Sequence, residues 1–295
     1  MERLECKYRA ELKRFQSFPV HTVSAAVYLC IGVVPAEAQV HINIMGLLGQ
    51  LAICSRELQH VTDIIIHNLE KYDGQFLGWS GLVKKVAEKY NLPSPLSYMQ
   101  HPWTPKSWRN HCKDIITQQW EEKLKKEANE KLVLKWFVAD RLSLFKPHSI
   151  WTKAGLSPIE APKATVTMWF LLGCYHTYEL LFLMKKVTTS ICPACGKSNE
   201  DIPHILLICE EYLHIRSQFL TQVTFLNPNI IPFSNNTDIL LISILDPESS
   251  KLPIEIRDSW KDVDSMYEKS RQFCWNIHRK REKILQSKDI QVSTG

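Results

Sequence analysis

Three cysteines and one histidine between residues 192 and 209 are spaced in a way that suits a single metal ion. The pattern reads Cys192-x2-Cys195-x8-His204-x4-Cys209. Two thiolates separated by two residues can bind a metal from one tight turn, and Gly196 can adopt the positive φ that such a turn often needs. Three sulfur ligands and one imidazole suit tetrahedral Zn²⁺ and leave no open coordination position. The sequence therefore predicts one structural Zn²⁺ per chain as the cofactor.

The second half of this motif must be positioned by a helix that stops before the last ligand. Asp201 suits the N-cap of a short helix, and Pro203 suits its first turn. Five residues of a regular α-helix turn the chain by about 140° and advance it by about 7.5 Å, so His204 and Cys209 could not ligate one metal from it. We expect the helix to end or kink before Cys209. The alternative is that three of the nine cysteines lie close together by chance.

The elements around the motif are predicted to be helices. Glycine is scarce, at ten residues, and apolar residues recur at three- and four-residue spacing along most of the chain. The fold class we expect is mainly α, an elongated helical array with a small CCHC zinc-binding unit. The predicted helices span residues 3–15, 22–34, 37–54, 61–72, 82–90, 107–142 (as one helix or two), 165–186, 210–225, 238–245 and 259–286, with loops at 74–81 and 227–236.

Breaks in this pattern suggest five segments. A proline-rich stretch at 91–106 is the best candidate for a linker between domains. The predicted organisation is a helical segment at 1–90, the linker at 91–106, a basic helical region at 107–186, the zinc-binding unit at 187–225, and C-terminal helices with a basic tail at 226–295.

Composition favours an intracellular protein with a sizeable core. The chain has 295 residues, of which 45% are hydrophobic. The first fourteen residues alternate in charge without an apolar signal segment, and the cysteine number is odd, which together favour the reducing cytoplasm or nucleus. The apolar stretch 22–36 is too short to span a membrane, and 166–184 is interrupted by His176 and Glu179. We expect no membrane partner.

The basic residues are concentrated in two places. The net charge is +5, and residues 103–153 alone contain eleven Lys or Arg against six Asp or Glu. Residues 271–283 form a second basic cluster that includes aromatic residues. Both clusters permit contacts to nucleic acid, although solvated helix faces would look the same. The candidate contact residues are Lys123, Lys125, Lys126, Trp275, Arg279, Lys280, Arg281 and Lys283, with Phe273 as a further aromatic that could stack on a base.

Three stretches together resemble the region downstream of the polymerase core in non-LTR (LINE-type) retroelement reverse transcriptases. The first lies within 4–52 and reads Phe18-Pro19-x-x-Thr22, then Gly32-x-x-Pro35. The second reads Phe170-Leu171-Leu172-Gly173-x-Tyr175 and leads into the cysteine motif, as in the zinc-binding segment of those polyproteins. The third reads Ser270-Arg271-x-x-Cys274-Trp275-x-x-His278 and is similar to their C-terminal end.

The resemblance implies a fragment without catalytic activity. Reverse transcriptases use adjacent aspartates in two-metal nucleotidyl transfer, and this chain contains no Asp-Asp pair. The nearest similar segment, Phe137 to Arg141, has arginine after Asp140 and lies on a helical pattern. The chain also lacks a P-loop, GxGxxG, HExxH or GxSxG motif. We therefore expect no enzyme activity and no small-molecule substrate, although the parent polyprotein would be an RNA-directed DNA polymerase.

Three functional interpretations remain open from the sequence. The first is a C-terminal fragment of such a reverse transcriptase that binds zinc and the RNA or DNA backbone with weak sequence preference, with the rest of the reverse transcriptase as a further partner. The second is a host-retained helical scaffold for protein interactions, in which zinc is structural. The third is a decayed reading frame without a selected function.

Overall fold

The computed structural model describes residues 2–54, 59–71 and 78–288. Within these ranges the protein is mainly helical and no extended strand occurs, which confirms the predicted fold class at that level. Two isolated bridges pair Ser143 with Lys146 and Ile191 with Asn199. The α-helices are α1 (Glu2–Phe15), α2 (Ser24–Ile31), α3 (Ala36–Cys54), α4 (Gln59–Glu70), α5 (Trp79–Tyr90), α6 (Pro95–Gln100), α7 (Pro105–Asn129), α8 (Ser149–Thr152), α9 (Glu160–Leu171), α10 (Tyr178–Leu183), α11 (Leu213–Leu226), α12 (Thr237–Leu245), α13 (Ile254–Arg257) and α14 (Val263–Ser287).

The chain forms two compact units whose limits differ from the predicted segments. Unit 1 comprises Met1–Tyr8 and Val33–Leu124, and unit 2 comprises Arg9–Gly32 and Lys125–Gly295. The predicted linker at 91–106 lies inside unit 1, so it does not separate the units. The reason is local: Pro95 and Pro105 each begin a helix, where the missing N–H of proline has no cost.

Unit 1 is built around the indole ring of Trp108 on α7. This ring is fully buried, stacks on Tyr98 at 3.9 Å between ring centres, and donates from Nε1 to the carbonyl of Met45 at 2.8 Å. A Cβ atom at Gly49 would lie 2.7 Å from the Trp108 ring. The glycine therefore allows α3 and α7 to approach closely at this point.

Three predicted helices of the chain have different limits in the structure. The segment predicted as 165–186 is interrupted between α9 and α10, because Gly173 has φ +63° and a Cβ atom there would lie only 2.4 Å from the carbonyl oxygen of Val133. The segment predicted as 107–142 ends at Asn129 and continues as a 3-10 turn, Leu132–Leu134. In the other direction, α5 begins at Trp79, inside the predicted loop, whose residues 74–77 lie outside the described ranges.

Tertiary contacts explain why the chain after α7 is not helical. The backbone N–H of Phe145 donates to the carbonyl of Gly32 at 2.7 Å, and that of His148 donates to Cys30 at 2.8 Å. These carbonyls lie at the end of α2 and would otherwise lack a partner. A helix continued through residue 148 could not make these two bonds, so long-range pairing sets the conformation of residues 145–148, which follow the predicted helix.

Smaller differences occur towards the C-terminus. The predicted loop 227–236 contains a 3-10 helix, Pro228–Phe233, and a second 3-10 turn, Glu210–Tyr212, precedes α11. The last helix begins at Val263, four residues later than predicted, and is preceded by the short α13. Helix α14 packs mainly against α9 and α11, and its Phe273 stacks on Phe219 at 4.2 Å between ring centres.

No single helix in the described ranges is long and apolar enough to cross a membrane. Helices α2 and α3, taken together across the break between them, reach the required length and composition.

A buried cluster of polar side chains joins four segments of unit 2 through hydrogen bonds and an ion pair. Arg141 binds the carboxylate of Asp246, and the Tyr267 hydroxyl lies 3.0 Å from Asp246 and 2.9 Å from Glu248. His148 is 1% exposed, and its Nδ1 accepts the backbone N–H of Ile150 at 3.2 Å as the N-cap of α8. Burial, and then the positive charge of Arg141, lower the pKa of His148 from 6.5 to about 3. The fold therefore holds this imidazole neutral.

The neutral His148 predicts a specific pH dependence of stability. Because its pKa is depressed in the fold, its stabilising contribution is present above the ordinary pKa of 6.5 and is lost as the pH falls from 6.5 towards 3. Asparagine at this position keeps the N-cap and does not titrate. We expect the stability of wild type relative to His148→Asn to fall by about 2 kcal/mol between pH 7.5 and pH 5.

The measurement is the free energy of unfolding of both proteins by urea titration at each pH. The other groups of the cluster, including Asp246, whose pKa burial raises to about 6, are present in both proteins. A difference between the two proteins that stays constant across this pH range would contradict the prediction.

Candidate metal centre

The first two cysteines lie in a tight turn closed by backbone hydrogen bonds. The backbone N–H of Gly196 donates to the carbonyl of Cys192 at 2.8 Å, and the N–H of Cys192 donates to Ser198 at 2.8 Å. Gly196 has φ +69°, which confirms the prediction that glycine permits the turn after Cys195. The turn is framed by the bridge between Ile191 and Asn199 described above, so both thiols come from one small loop.

The second two ligands lie at the two ends of a π-helical turn. Asp201 Oδ1 accepts the backbone N–H of His204 at 2.7 Å, which confirms Asp201 as the N-cap. The helix then widens into a π turn over His204–Ile208, and the N–H of Cys209 donates to the carbonyl of His204 at 2.7 Å. This i→i+5 bond brings Cys209 back over His204, which a regular helix would not do. The predicted end before Cys209 is confirmed, and the widening is how the chain achieves it.

The four candidate ligand atoms converge, and two of the distances between them match a tetrahedral site. They all lie within 4.8 Å of one another. Sγ of Cys192 is 4.0 Å from Sγ of Cys209, and Sγ of Cys195 is 3.4 Å from Nε2 of His204. A tetrahedral metal with 2.3 Å bonds to sulfur needs edges of about 3.8 Å between sulfurs and about 3.5 Å between sulfur and nitrogen. The cluster could therefore hold a metal ion.

A serine in the cysteine loop sets the orientation of the imidazole. Ser198 Oγ lies 3.0 Å from Nδ1 of His204. If Nδ1 carries the ring proton and donates to this hydroxyl, Nε2 is unprotonated and faces the thiols. In that arrangement Ser198 would hold His204 in the tautomer that a metal requires.

The thiols lie in an environment where a cation would be strongly favoured. Burial raises the pKa of Cys192 and of Cys209 above the ordinary thiol value. At Cys195 burial acts in the same direction, but hydrogen bonds from the backbone of Lys197 and from the other two thiols outweigh it and lower the pKa. Three thiolates this close would repel one another, and a divalent cation between them would offset that repulsion.

A buried ion pair joins the metal segment to α14. Glu200 is fully buried, and Arg281 donates to its two carboxylate oxygens at 2.9 and 2.6 Å. The Glu200 carboxylate also accepts the backbone N–H of Tyr178 at 2.8 Å, and Arg281 donates to the carbonyl of His176 at 2.9 Å. Oε1 of Glu200 lies 3.8 Å from Sγ of Cys192. The ion pair therefore contacts Cys192, one of the four candidate ligands.

Two further basic side chains, one on α14 and one directly after this helix, also bind the metal segment. Lys280 donates to the carbonyl of Glu211, and Lys288 donates to the carbonyl of Pro193 at 2.6 Å. From α11, Arg216, itself buried, donates to the carbonyl of Cys209 at 3.1 Å. Much of the basic character of the C-terminal region is thus used inside the protein.

These contacts correct part of the predicted nucleic-acid surface. Arg281 is buried and paired with Glu200, so its assignment as a phosphate contact is wrong. Phe273 is buried against Phe219 and cannot stack on a base. Lys280 is partly buried and bound to Glu211. On α14 the structure leaves Arg279 and Lys283 exposed and Trp275 half-buried.

The predicted contacts on α7 lie on a different helix. Lys123 and Lys126 are exposed and Lys125 is half-buried. Nζ of Lys123 stands 4.4 Å from the ring centre of Trp120. The assignment of these three lysines to nucleic acid stays a prediction.

The segment around Asp140 is not the helix that the sequence suggested. Asp140 lies exposed in a turn and accepts a hydrogen bond from Asn129 Nδ2 at 3.0 Å, while Arg141 belongs to the buried cluster with Asp246. Sequence reasoning also missed Ser198, Glu200 and Arg216. Their position near the ligand motif was the only signal, because polar and charged side chains are usually exposed.

Comparison with protein-family models, with curated proteins and with solved structures found no match to this chain. The chemical interpretation of the metal centre therefore depends on its own geometry.

The buried ion pair predicts very different roles for two arginines only two residues apart. Arg281→Met leaves the Glu200 carboxylate buried without its partner, and breaking such a pair costs about 3–5 kcal/mol. Arg279→Met changes an exposed side chain on the same helix and should cost less than about 0.5 kcal/mol. We expect backbone amide hydrogen exchange over residues 176–212 to become about a hundred-fold faster or more in Arg281→Met and to stay unchanged in Arg279→Met.

Peptide-level hydrogen exchange with mass spectrometry measures this directly. Peptides from unit 1 serve as an internal reference in each sample. Equal exchange rates over residues 176–212 in the two variants would show that the ion pair does not hold the metal segment.

Proposed function

We propose that this chain is a non-catalytic helical module that is organised by one Zn²⁺ and binds the backbone of RNA or DNA, as the C-terminal region of a LINE-type reverse transcriptase. One observation supports the proposal most strongly. The segment that carries the converging ligand atoms of Cys192, Cys195, His204 and Cys209 is bound to α14 through the pair of Glu200 and Arg281, and the exposed side of α14 presents Arg279 and Lys283.

The ligand set favours zinc over other common metals. Three thiolates and one imidazole are soft to borderline ligands, which suit Zn²⁺ and exclude the oxygen-preferring Mg²⁺ and Ca²⁺. The distances between Cys192 and Cys209 and between Cys195 and His204 match the edges of a tetrahedral site, and the protein supplies all four ligands. A closed site of this type stabilises the fold and does not activate water.

Charge near the site supports the same assignment. Zn²⁺ with three thiolates carries one net negative charge, and the guanidinium of Arg216, bound to the Cys209 carbonyl, lies where it offsets that charge. Arg281 offsets the charge of Glu200 in the same way. The zinc form of the segment is thus electrically balanced by residues that are already in place.

The exposed stripe of α14 supports binding to a nucleic-acid backbone. Trp275, Arg279 and Lys283 follow one another at intervals of four residues, so they lie along one side of the helix. The Arg279 guanidinium is 5.8 Å from the centre of the Trp275 ring. One cation beside a half-exposed indole, with a second cation one turn further along the helix, suits a single strand with phosphates at the cations and a base stacked on the ring. Arg279 also lies 3.2 Å from Glu282, an exposed ion pair that a phosphate would compete with. Such contacts position the strand without reading its sequence.

The first test of this proposal is metal content. We expect one Zn²⁺ per chain in wild type and in Cys6→Ser, because Cys6 is an exposed cysteine outside the cluster. Cys195→Ser should lose the metal, and hydrogen exchange over residues 190–216 should accelerate while unit 1 keeps its protection, because metal binding supplies folding free energy to a segment this small. Elemental analysis gives the stoichiometry. A wild-type protein without zinc, or full zinc occupancy in Cys195→Ser, would show that the assignment is wrong.

The second test is the salt dependence of binding to single-stranded RNA. Each phosphate contact contributes about −0.7 to the slope of log K against log salt concentration. Arg279→Ala/Lys283→Ala removes two such contacts and should flatten the slope by about 1.4. Lys106→Ala/Lys131→Ala, which removes two exposed lysines elsewhere, should leave the slope unchanged. Fluorescence anisotropy with a labelled oligonucleotide between low and moderate salt measures both slopes.

A second candidate function is a protein-interaction scaffold in which zinc is structural. The observation that favours it is the exposed apolar surface beside the metal segment. Leu183 is 72% exposed, Ile208 is 61% exposed and Leu213 is 56% exposed. Zinc could be present at full stoichiometry while the affinity for RNA changes neither with salt concentration nor in Arg279→Ala/Lys283→Ala. The scaffold function would then be the better explanation.

A further inference from the structure

The three thiols of the metal cluster differ in how far solvent can reach them. Cys192 and Cys209 are buried, at 0% and 1% exposed, whereas Cys195 is half-buried. The next residue, Gly196, is exposed, and a Cβ atom there would meet no heavy atom within 4 Å apart from its chain neighbours. The cysteine loop is therefore open to solvent next to Cys195, and a small oxidant reaches this sulfur first.

A second sulfur lies within reach of Cys195 in the same turn. The ligand atoms of the cluster lie within 4.8 Å of one another, and the sulfur of Cys192 is one of them. The hydrogen bond from the N–H of Gly196 to the carbonyl of Cys192 closes one helical turn. In such a turn, Cα atoms three residues apart are separated by about 5 Å. A disulfide requires about 4.4–6.8 Å between Cα atoms, so rotation of the two side chains is enough to join Cys192 and Cys195.

Cys209 is a less suitable partner because it comes from another segment. It follows the π turn, where its N–H donates to His204 and its carbonyl accepts from Arg216. These two bonds fix its backbone outside the cysteine loop. The sulfurs of Cys192 and Cys209 are 4.0 Å apart, but both residues are buried, so neither starts a reaction with an oxidant in solution. Of the three possible pairs, Cys192 with Cys195 combines an accessible sulfur with a partner in the same turn.

We propose that Cys195 and Cys192 form a redox site at which a peroxide closes a disulfide and releases the metal. The inference rests on the proposed function, because it gives the zinc centre a means of regulation. Two of the four ligands are also the two thiols that react. Metal binding and disulfide formation therefore exclude each other at this turn.

The chemistry balances with hydrogen peroxide as the oxidant. The thiolate of Cys195 attacks one peroxide oxygen, the O–O bond breaks, and the products are a sulfenic acid and hydroxide. The thiolate of Cys192 then attacks the Cys195 sulfur, the S–O bond breaks, and a second hydroxide leaves as the disulfide forms. The two sulfurs lose two electrons in total, which reduce the peroxide, and two protons from solvent convert both hydroxides into water. Zn²⁺ does not change its oxidation state.

Loss of two thiolates leaves the metal with His204 and Cys209 as its protein ligands from the cluster. Two ligands do not make the closed four-coordinate site that holds structural zinc, so the ion dissociates. The disulfide keeps the cysteine loop closed, whereas the π turn loses the metal that ties it to this loop. Reduction by a dithiol restores both thiolates, so the conversion is reversible. The redox site thus makes the metal-organised form of residues 190–212 depend on reducing conditions.

The experiment treats the zinc-loaded full chain with hydrogen peroxide. A chromogenic chelator follows the released Zn²⁺, and free thiols are then alkylated so that peptide mass spectrometry maps the disulfide. We expect about one Zn²⁺ to be released for each disulfide formed between Cys192 and Cys195, and to bind again after dithiothreitol and Zn²⁺ are added. Cys6→Ser, which removes an exposed thiol outside the cluster, should behave as wild type.

A substitution at Cys195 separates the reactive sulfur from the metal ligand. Cys195→His keeps four ligands in a Cys2His2 set, which also binds structural zinc, but leaves the cluster with its two buried thiols. We expect peroxide to release zinc about tenfold more slowly, or slower still, from Cys195→His than from wild type. Zinc content before oxidation shows that each sample starts loaded.

Three outcomes would overturn the inference. One is full retention of zinc in wild type under conditions in which the exposed Cys6 is oxidised. The second is an oxidised wild type in which Cys195 is bonded to Cys209 or ends as a sulfinic acid. The third is an equal rate of release from wild type and from zinc-loaded Cys195→His. Where Cys195→His binds no zinc, the disulfide map of wild type decides alone.

Failure of the redox site is distinguishable from failure of the zinc centre. A chain that binds no zinc contradicts the zinc centre before any peroxide is added. Peroxide treatment of the chain stripped by a chelator still tests the thiol chemistry. A disulfide between Cys192 and Cys195 in that sample upholds the redox pair, and its absence contradicts the pair whether or not zinc binds.

Discussion

The buried pair of Arg281 and Glu200 is the interaction on which the metal centre depends. It places a carboxylate 3.8 Å from the thiol of Cys192 and, through Tyr178 and His176, connects the loop before α10 with the cysteine loop and with α14. Without the guanidinium, the carboxylate would be buried beside groups that a metal holds as anions, which is a strongly unfavourable arrangement. The position of α14 is therefore an electrostatic requirement of the metal segment as well as a packing contact.

The role of Arg281 illustrates what sequence reasoning can and cannot extract from a basic cluster. Arg279, Lys280 and Arg281 read as one patch, yet one is exposed, one is partly buried and one is buried. The helical period contains the necessary signal: Cys274, Ile277, Arg281 and Leu285 recur at three- and four-residue intervals and all lie on the buried side of α14. An arginine in an apolar stripe indicates a buried partner. Its identity, Glu200, lies 81 residues away and could not be predicted from the local pattern.

The same division between local and long-range information runs through the fold. The ligand set, the positive φ of Gly196 and the N-cap at Asp201 depend on a few adjacent residues, and the sequence predicted all three. From the sequence, the π turn could be inferred only as an interruption of the helix before Cys209. Its form depends on bringing Cys209 next to the other three candidate ligands. The path of residues 145–148, by contrast, depends on carbonyls at the end of α2, and the break at Gly173 depends on a close contact with Val133. Neither can be recognised from neighbouring residues.

The charge arrangement also makes the predicted zinc unit at 187–225 depend on a residue outside it. With Zn²⁺ bound, the three thiolates leave one negative charge and Glu200 adds another. Within 187–225 only Arg216 among the buried groups offers a compensating charge, and the second comes from Arg281 on α14. A segment cut at 225 would therefore keep a buried carboxylate without its cation. The candidate ligands are close in sequence, but the charges that would balance them extend from Glu200 to Arg281, so we expect the smallest stable form of the centre to include α14.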